Sequence, residues 1–347
     1  MIDTGLDYLL RHDGQYAFGA GCGNGPGSPG CSVVASFDLV EDDGQRDNPS
    51  QPHGTHVSGI VHSVAPAAGI VAIDVQRPDG TTRLSDVVRA LQWAGDNWRS
   101  YRIKVANVSL GSGRYTSLCD EQFFALSDAV RGLRRRGVIV VAASGNVWSD
   151  ALNVPGCARL VMRVGAVYDA DVGPVHWRVC TDPSTAPDQI TCFSNSAPFL
   201  TILAPGAVIN FANLITSGTS QSAPHVAGAI GSLRGENGFD EATSCTFARI
   251  VKTGRRLVDP RNGLTFPRVD LAAAASTYPN SVGDCDASSD VTEAEVTLGL
   301  AIALGQQALS ACPPFDANAD NGVTIDELVA AVNLALYGCA VGAVHWV

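Results

Sequence analysis

Short continuous apolar runs punctuate the chain at 69–75, 105–110, 137–143, 160–167 and 200–203. Runs of that length suit strands buried on both faces, where no polar alternation is needed. Between them, 85–98 and 121–136 carry apolar residues at helical spacing. Strands alternating with helices predict an α/β class fold: a mostly parallel, doubly wound sheet covered on both faces. The chain opens on Met1-Ile2-Asp3-Thr4-Gly5, which reads as the end of a strand entering a turn. A strand of about five or six residues would ordinarily precede such an aspartate. The expectation is therefore that the start is truncated, with a strand, a signal peptide and any propeptide lying upstream.

Two further stretches read as helix starts. In His53-Gly54-Thr55-His56-Val57, the residues Val57, Ile60, Val61 and Val64 form an inward stripe that His53 shares. His62 lies about 180° from His53 around the helix and is expected to face solvent. In Gly218-Thr219-Ser220-Gln221-Ser222-Ala223-Pro224-His225, Pro224 is expected in the first turn, where a missing N–H costs nothing. Ser220 then sits where unpaired N–H groups and the helix dipole favour a developing negative charge. In parallel sheets, ligands bind beyond the carboxyl ends of the strands. Asp3, Ser109 and Asn146 fall at or just past such ends, so the candidates converge on one edge.

These stretches carry a family resemblance. Asp3-Thr4-Gly5, His53-Gly54-Thr55-His56-Val57-Ser58-Gly59 and Gly218-Thr219-Ser220 with Pro224-His225-Val226-Ala227-Gly228 resemble the three signature stretches of subtilisin-like serine proteases. Asn107-Val108-Ser109-Leu110-Gly111 and Ala142-Ala143-Ser144-Gly145-Asn146 resemble two more. The resemblance covers about residues 1–278 and implies a subtilisin-type sheet and an endopeptidase acting on proteins or peptides. It implies Ser220 as nucleophile, His53 as general base and Asp3 as the carboxylate orienting it. Asn146 would be the oxyanion-hole amide beside the Ser220 N–H. Ser109, Leu110 and Gly111 would pair with the substrate backbone, and Ala143, Ser144 and Gly145 would line the opposite side. Gln221 departs from the methionine common in the family and alters the pocket wall. A metal centre at His53, His56 and His62 lacks support, since there is no His-Glu-x-x-His spacing.

Charge changes the picture only at the C-terminal end. The net charge is −11, from 34 acids and 23 bases. Nine of those acids and no Lys or Arg lie in residues 279–347, leaving 25 acids against 23 bases in 1–278. No basic patch with interleaved aromatics suggests nucleic acid, and no apolar run suggests a membrane span. Within the acidic tail, Asp316, Asn318, Asp320, Gly322, Thr324 and Glu327 fit a twelve-residue EF-hand calcium loop, with Asn321 at the usual glycine position. Asp284, Asp286, Ser288, Asp290, Thr292 and Glu295 repeat the pattern 32 residues earlier, weakened by Ser288 and Ser289. Apolar helices at 296–304 and 328–337 follow. The tail resembles dockerin-type repeats of secreted bacterial enzymes, which implies calcium and a cohesin-like partner. Two domains are expected, 1–278 and 279–347, the second a small helical EF-hand-like module.

Ten cysteines without a Cys-x-x-Cys pair point to disulfides and an extracellular or cell-surface setting. Proximity suggests Cys22–Cys31, Cys119–Cys157 and Cys180–Cys192. Cys285, Cys312 and Cys339 recur every 27 residues, and Cys245 is left over. The competing function class is a catalytically silent, calcium-dependent attachment protein, favoured if Asp3 cannot be held in place.

Overall fold

The computed structural model describes residues 1–40, 52–235, 243–276, 282–286 and 291–337. The chain divides into two compact units, one of residues 1–238 and 255–269, the other of 239–254 and 270–346. No helix among the described residues is long and apolar enough to cross a membrane.

The first unit is built on a nine-stranded sheet. Its strands are β1 (Ile2–Asp3), β2 (Val33–Asp38), β3 (Ile70–Asp74), β4 (Val105–Val108), β5 (Ile139–Ala143), β6 (Val161–Val167), β7 (Ile202–Pro205), β8 (Arg255–Val258) and β9 (Thr265–Arg268). They lie in the order β8-β9-β7-β6-β5-β4-β1-β3-β2. Every pairing is parallel except β8 with β9. The five apolar runs are β3 to β7, displaced by a residue or two at their ends. β5 and β6 are buried at every position, which is why their sequences do not alternate.

The helices of this unit are α1 (His53–Val64), α2 (Leu84–Asn97), α3 (Phe124–Arg135) and α4 (Thr219–Gly235). α2 and α3 bury one apolar stripe each, including Leu91, Leu126 and Leu133, against the sheet core. α1 and α4 pack directly on each other. Gly228 permits this, because a Cβ there would stand 2.7 Å from the Cβ of Val64. His53 is the first residue of α1 and Ser220 the second of α4, so each candidate stands at the start of one of two packed helices.

Two expectations about helix geometry need correction. Pro224 lies in the second turn of α4, since the helix already begins at Thr219. His62 is half-buried rather than solvent-facing, with its ring 5.9 Å from that of Phe18. The segment before β2 covers that side of α1, which periodicity within the helix does not reveal.

The second unit holds α5 (Thr243–Thr253), α6 (Leu271–Ala275), α7 (Glu293–Ala303) and α8 (Ile325–Tyr337). Ile302, Phe315, Ala331 and Leu334 form a small core around Phe315, which is fully buried. The described residues contain four disulfides: Cys22–Cys31, Cys119–Cys157, Cys180–Cys192 and Cys285–Cys312. Cys245, which proximity leaves over, is itself disulfide-bonded. Cys339 lies outside the described residues.

Candidate active site

Asp3 ends β1, one residue beyond Ile2, which pairs with both Ile73 of β3 and Val108 of β4. Its side chain is almost wholly buried. Oδ1 accepts the Thr4 backbone N–H at 2.9 Å and lies 2.6 Å from Nδ1 of His53. A carboxylate cannot donate, so the short contact places a proton on Nδ1; in the neutral ring Nε2 is then the acceptor nitrogen. Oδ2 is buried without a protein hydrogen-bond partner.

α1 begins without a side-chain N-cap. The Thr4 hydroxyl instead accepts the Gly54 N–H at 2.9 Å, satisfying one of the helix's orphan donors from outside. Thr55 returns the interaction, its hydroxyl accepting the Asp7 N–H at 2.8 Å. These reciprocal bonds join the turn after β1 to the first turn of α1, and so hold His53 against Asp3. A Cβ on Gly54 would collide with the Gly5 carbonyl oxygen, so glycine is needed for this approach.

Ser220 is the second residue of α4. Pro224 has no N–H to give to the Ser220 carbonyl four residues earlier. The hydroxyl of Ser109 takes that place and donates to the Ser220 carbonyl at 2.8 Å. The Ser220 hydroxyl in turn donates to the Ser109 carbonyl at 2.8 Å. Ser109 is buried and also accepts from the Asn107 amide at 2.9 Å. It therefore couples the nucleophile candidate to the end of β4, a tie that no local pattern signals.

Asn146 follows β5. Its Oδ1 accepts the Thr219 N–H at 2.8 Å and the Thr219 hydroxyl at 2.9 Å. The backbone donor fixes the amide's orientation, because only the oxygen can accept it. Nδ2 then lies on the Gly218 side, where a Cβ would stand only 3.1 Å from it. Thr219 also accepts the Gly145 N–H at 3.0 Å, joining the two loops again. The remaining predicted residues divide by burial. Ser144 is fully buried and donates to the Asn195 carbonyl at 3.1 Å. Ala143 is buried, Leu110 half-buried and Gly111 exposed. Gln221 is buried. Beside Asn146 lies a cavity of about 220 Å³ lined also by Phe193 and by Trp177, Arg178 and Ser217, three residues that no motif flagged.

His56 is fully buried, with Nε2 3.0 Å from the Ile209 carbonyl and Nδ1 3.1 Å from the Thr216 hydroxyl. It thereby ties α1 to the Ile209–Phe211 and Leu214–Thr216 hairpin leading to Ser220. Burial holds its pKa below the ordinary 6.5. The same cause lowers His225, whose Nδ1 lies 2.8 Å from the Gln221 carbonyl.

The model of the Subtilase family matches residues 18–258. The chain belongs to the subtilase family. This subtilase is 33% identical to Subtilisin BL of Lederbergia lenta over 201 residues, 53% of the chain and 64% of that protein. It is 29% identical to the Thermophilic serine proteinase of Bacillus sp. strain AK1 over 276 residues, 73% of the chain and 57% of that protein. The crystal structure of a cold adapted subtilisin-like serine proteinase superposes with a TM-score of 0.56 at 26% identity, covering 77% of this subtilase and 85% of that chain. The subtilase spans 43% of the first of its curated relatives and 64% of the next two.

In the second unit, Glu295 and Glu327 occupy equivalent places. Glu295 accepts the Cys285 N–H, the Thr292 N–H and the Thr292 hydroxyl, each at 2.8 Å. Glu327 accepts from Ala317, Asn318, the Thr324 N–H and the Thr324 hydroxyl. The Thr292 N–H, with the Cys285 N–H and the Thr292 hydroxyl adding, holds Glu295 below the usual carboxylate range. Among the described residues, oxygens of Asp284, Asp286 and Glu295 lie within 4.8 Å of one another, a group that could hold a metal. This is the loop whose sequence matches less well; its Ser288 and Asp290 lie outside the described residues. In the other loop, Asp316 and Asn318 accept backbone N–H groups from Asp320 and Asn321, and Asp320 accepts from Gly322.

Two outcomes follow from this geometry. Gly54→Ala should lower stability by about 1–3 kcal/mol, since the new Cβ overpacks against a backbone carbonyl; thermal melting reads it, and an unchanged Tm would contradict the latch. Below the ordinary histidine pKa of 6.5, unfolded chain takes up protons that buried His56 and His225 refuse. Stability should therefore be full above about pH 7 and fall as pH drops from about 6.5 toward 5. A Tm profile in His225→Gln should show a shallower fall.

Proposed function

We propose that this subtilase is a secreted serine endopeptidase that cleaves peptide bonds through Asp3, His53 and Ser220. The observation that carries the reading is the 2.6 Å contact between Asp3 Oδ1 and His53 Nδ1, on a helix, α1, that packs against the helix carrying Ser220. In the reaction, the Ser220 hydroxyl turns from the Ser109 carbonyl toward His53. Nε2 takes its proton as Oγ bonds to the scissile carbonyl carbon. The oxyanion accepts hydrogen bonds from Asn146 Nδ2 and the Ser220 N–H, with the α4 dipole adding to both. His53 then gives its proton to the leaving amine, and the C–N bond breaks. Water repeats the sequence on the ester, with the proton returning from His53 to Ser220. Ser109, Leu110 and Gly111, with Ala143, Ser144 and Gly145, form the walls along which the substrate backbone runs.

Residues 279–347 we read as a calcium-binding module of EF-hand and dockerin-like type. Asp284, Asp286 and Glu295, with Thr292 and the Ser288 and Asp290 positions, would hold one ion. Asp316, Asn318, Asp320, Gly322, Thr324 and Glu327 would hold another. Oxygen-only donors suit a hard cation, and converging like charges are relieved by one. Calcium would order the loops and takes no part in the chemistry. An attachment role for this module, toward a cohesin-like partner, is supported by α8. Ile325, Val329, Val332 and Leu336 form an exposed apolar stripe along it. The disulfides support an extracellular setting.

Ser220→Ala should abolish labelling by a fluorophosphonate probe, and Asn146→Ala should lower turnover about 10²–10³-fold, a magnitude borrowed from subtilisin itself. An unlabelled wild-type chain would move the reading to the silent attachment protein. Calorimetry of the full chain should show calcium uptake that Glu295→Gln with Glu327→Gln removes. No heat at millimolar calcium would end the EF-hand reading.

A further inference from the structure

A short hairpin stands beside the candidate site and contributes no group to the acyl transfer. Its strands, Val175–His176 and Thr181–Asp182, pair antiparallel, and Arg178 lies in the turn between them. The turn is held from several directions. The Trp177 backbone N–H donates to the Cys180 carbonyl at 2.8 Å, and the Cys180–Cys192 disulfide ties the turn to the residue before Phe193. The rings of Trp177 and Phe193 meet edge to face, with centroids 4.8 Å apart. Asp182 is buried and accepts the Trp177 indole N–H at 3.0 Å, the Tyr168 hydroxyl at 2.7 Å and the Cys192 N–H at 3.1 Å. The hairpin's carboxylate is thus engaged in fixing Trp177.

Arg178 itself is exposed, and among the described residues no hydrogen bond or ion pair engages it. With Trp177, Val179, Phe193, Asn146 and Ser217 it lines the cavity of about 220 Å³. Asn146 is the amide proposed for the oxyanion, and Ser217 lies three residues before Ser220, so the cavity adjoins the reacting centre. Residues 109–111 and 143–145, proposed to run along the substrate ahead of the scissile bond, do not border it. The cavity therefore falls to the leaving-amine side.

We propose that Arg178 selects peptides with an acidic side chain on the residue immediately after the scissile bond. Trp177 and Phe193 offer apolar faces to the methylene stem of that side chain. The guanidinium offers its carboxylate paired, charge-assisted N–H donors. A cation at the mouth of a cavity also raises the local concentration of anionic substrate. Pairing displaces no ion pair that Arg178 makes among the described residues, whereas a lysine in the same place meets a like charge. The α-carboxylate of a single leaving residue offers related chemistry, and the test separates the two sources. The inference rests on the peptidase reading and adds a substrate class to it.

The test uses peptides blocked at both ends that carry Glu, Gln or Lys after the cleaved bond, with products read by chromatography. For the full chain, kcat/KM should rank Glu above Gln by about five- to tenfold, and Gln above Lys. Arg178→Ala should bring the three within about twofold of one another, and Arg178→Glu should place Lys first. Equal values for Glu and Gln, or a Glu preference that survives Arg178→Ala, overturn the proposal. A fourth peptide ends on Gln with a free carboxyl. If it outruns the blocked Gln peptide while Glu does not, Arg178 reads the chain end and the proposal falls. If no peptide is cleaved, Glu-Ala-Ala amide and Gln-Ala-Ala amide are titrated against the full chain and read by tryptophan fluorescence. Glu-selective binding that Arg178→Ala removes then supports the carboxylate site although the peptidase reading has failed. No Glu-selective binding at millimolar peptide overturns the site as well.

Discussion

The arrangement depends on one partly buried hydrogen bond, between Asp3 and His53. The two partners lie fifty residues apart in sequence and are brought together by separate elements. Asp3 is held by an interior strand, and His53 by a helix whose first turn lacks a cap of its own. Thr4 and Thr55 supply the missing bonds across the junction, and Gly54 leaves room for them. A buried carboxylate with only part of its acceptor capacity used is costly unless its partner stays in place. The latch around Gly54 is therefore as much a part of the site as the imidazole.

Ser220 and Asn146 are governed by the same logic of borrowed partners. Asn146 is oriented by the backbone of Thr219, a residue on the neighbouring loop. Ser220 is held at both its carbonyl and its hydroxyl by Ser109. His56, which has no part in the chemistry proposed, fixes the hairpin that feeds α4. The result is a cluster of loops pinned to one another and to the strand ends. The side chains it presents are few, and most of the polar groups nearby serve backbone positions.

Much of this was legible in the sequence. The central strands announce themselves as apolar runs because both their faces are buried, and the candidate residues follow from where those runs end. The helix starts at His53 and Ser220 were equally plain. What periodicity could not supply were partners more than a hundred residues away, such as Ser109 for Ser220. Pro224 was misplaced because the start of α4 is set by Thr219 and its contacts with Asn146 and Gly145, not by the proline. His62 was misread because the segment covering it belongs to another part of the chain. In the second unit, the repeat was legible as spacing. Its equivalence in space, Glu295 with Thr292 and Glu327 with Thr324, rests on capping bonds that the spacing alone does not specify.

Pro224 carries a consequence of its own. A proline inside a helix is ordinarily a defect, because one carbonyl loses its partner. In α4 the carbonyl set free belongs to the nucleophile candidate, and a strand-end hydroxyl claims it. The defect converts a bond within the helix into one between helix and sheet. Ser220 is consequently indexed to β4 rather than left to the fraying of a helix terminus. A ring closure on one residue thus sets how firmly another, one turn away, is registered against the rest of the molecule.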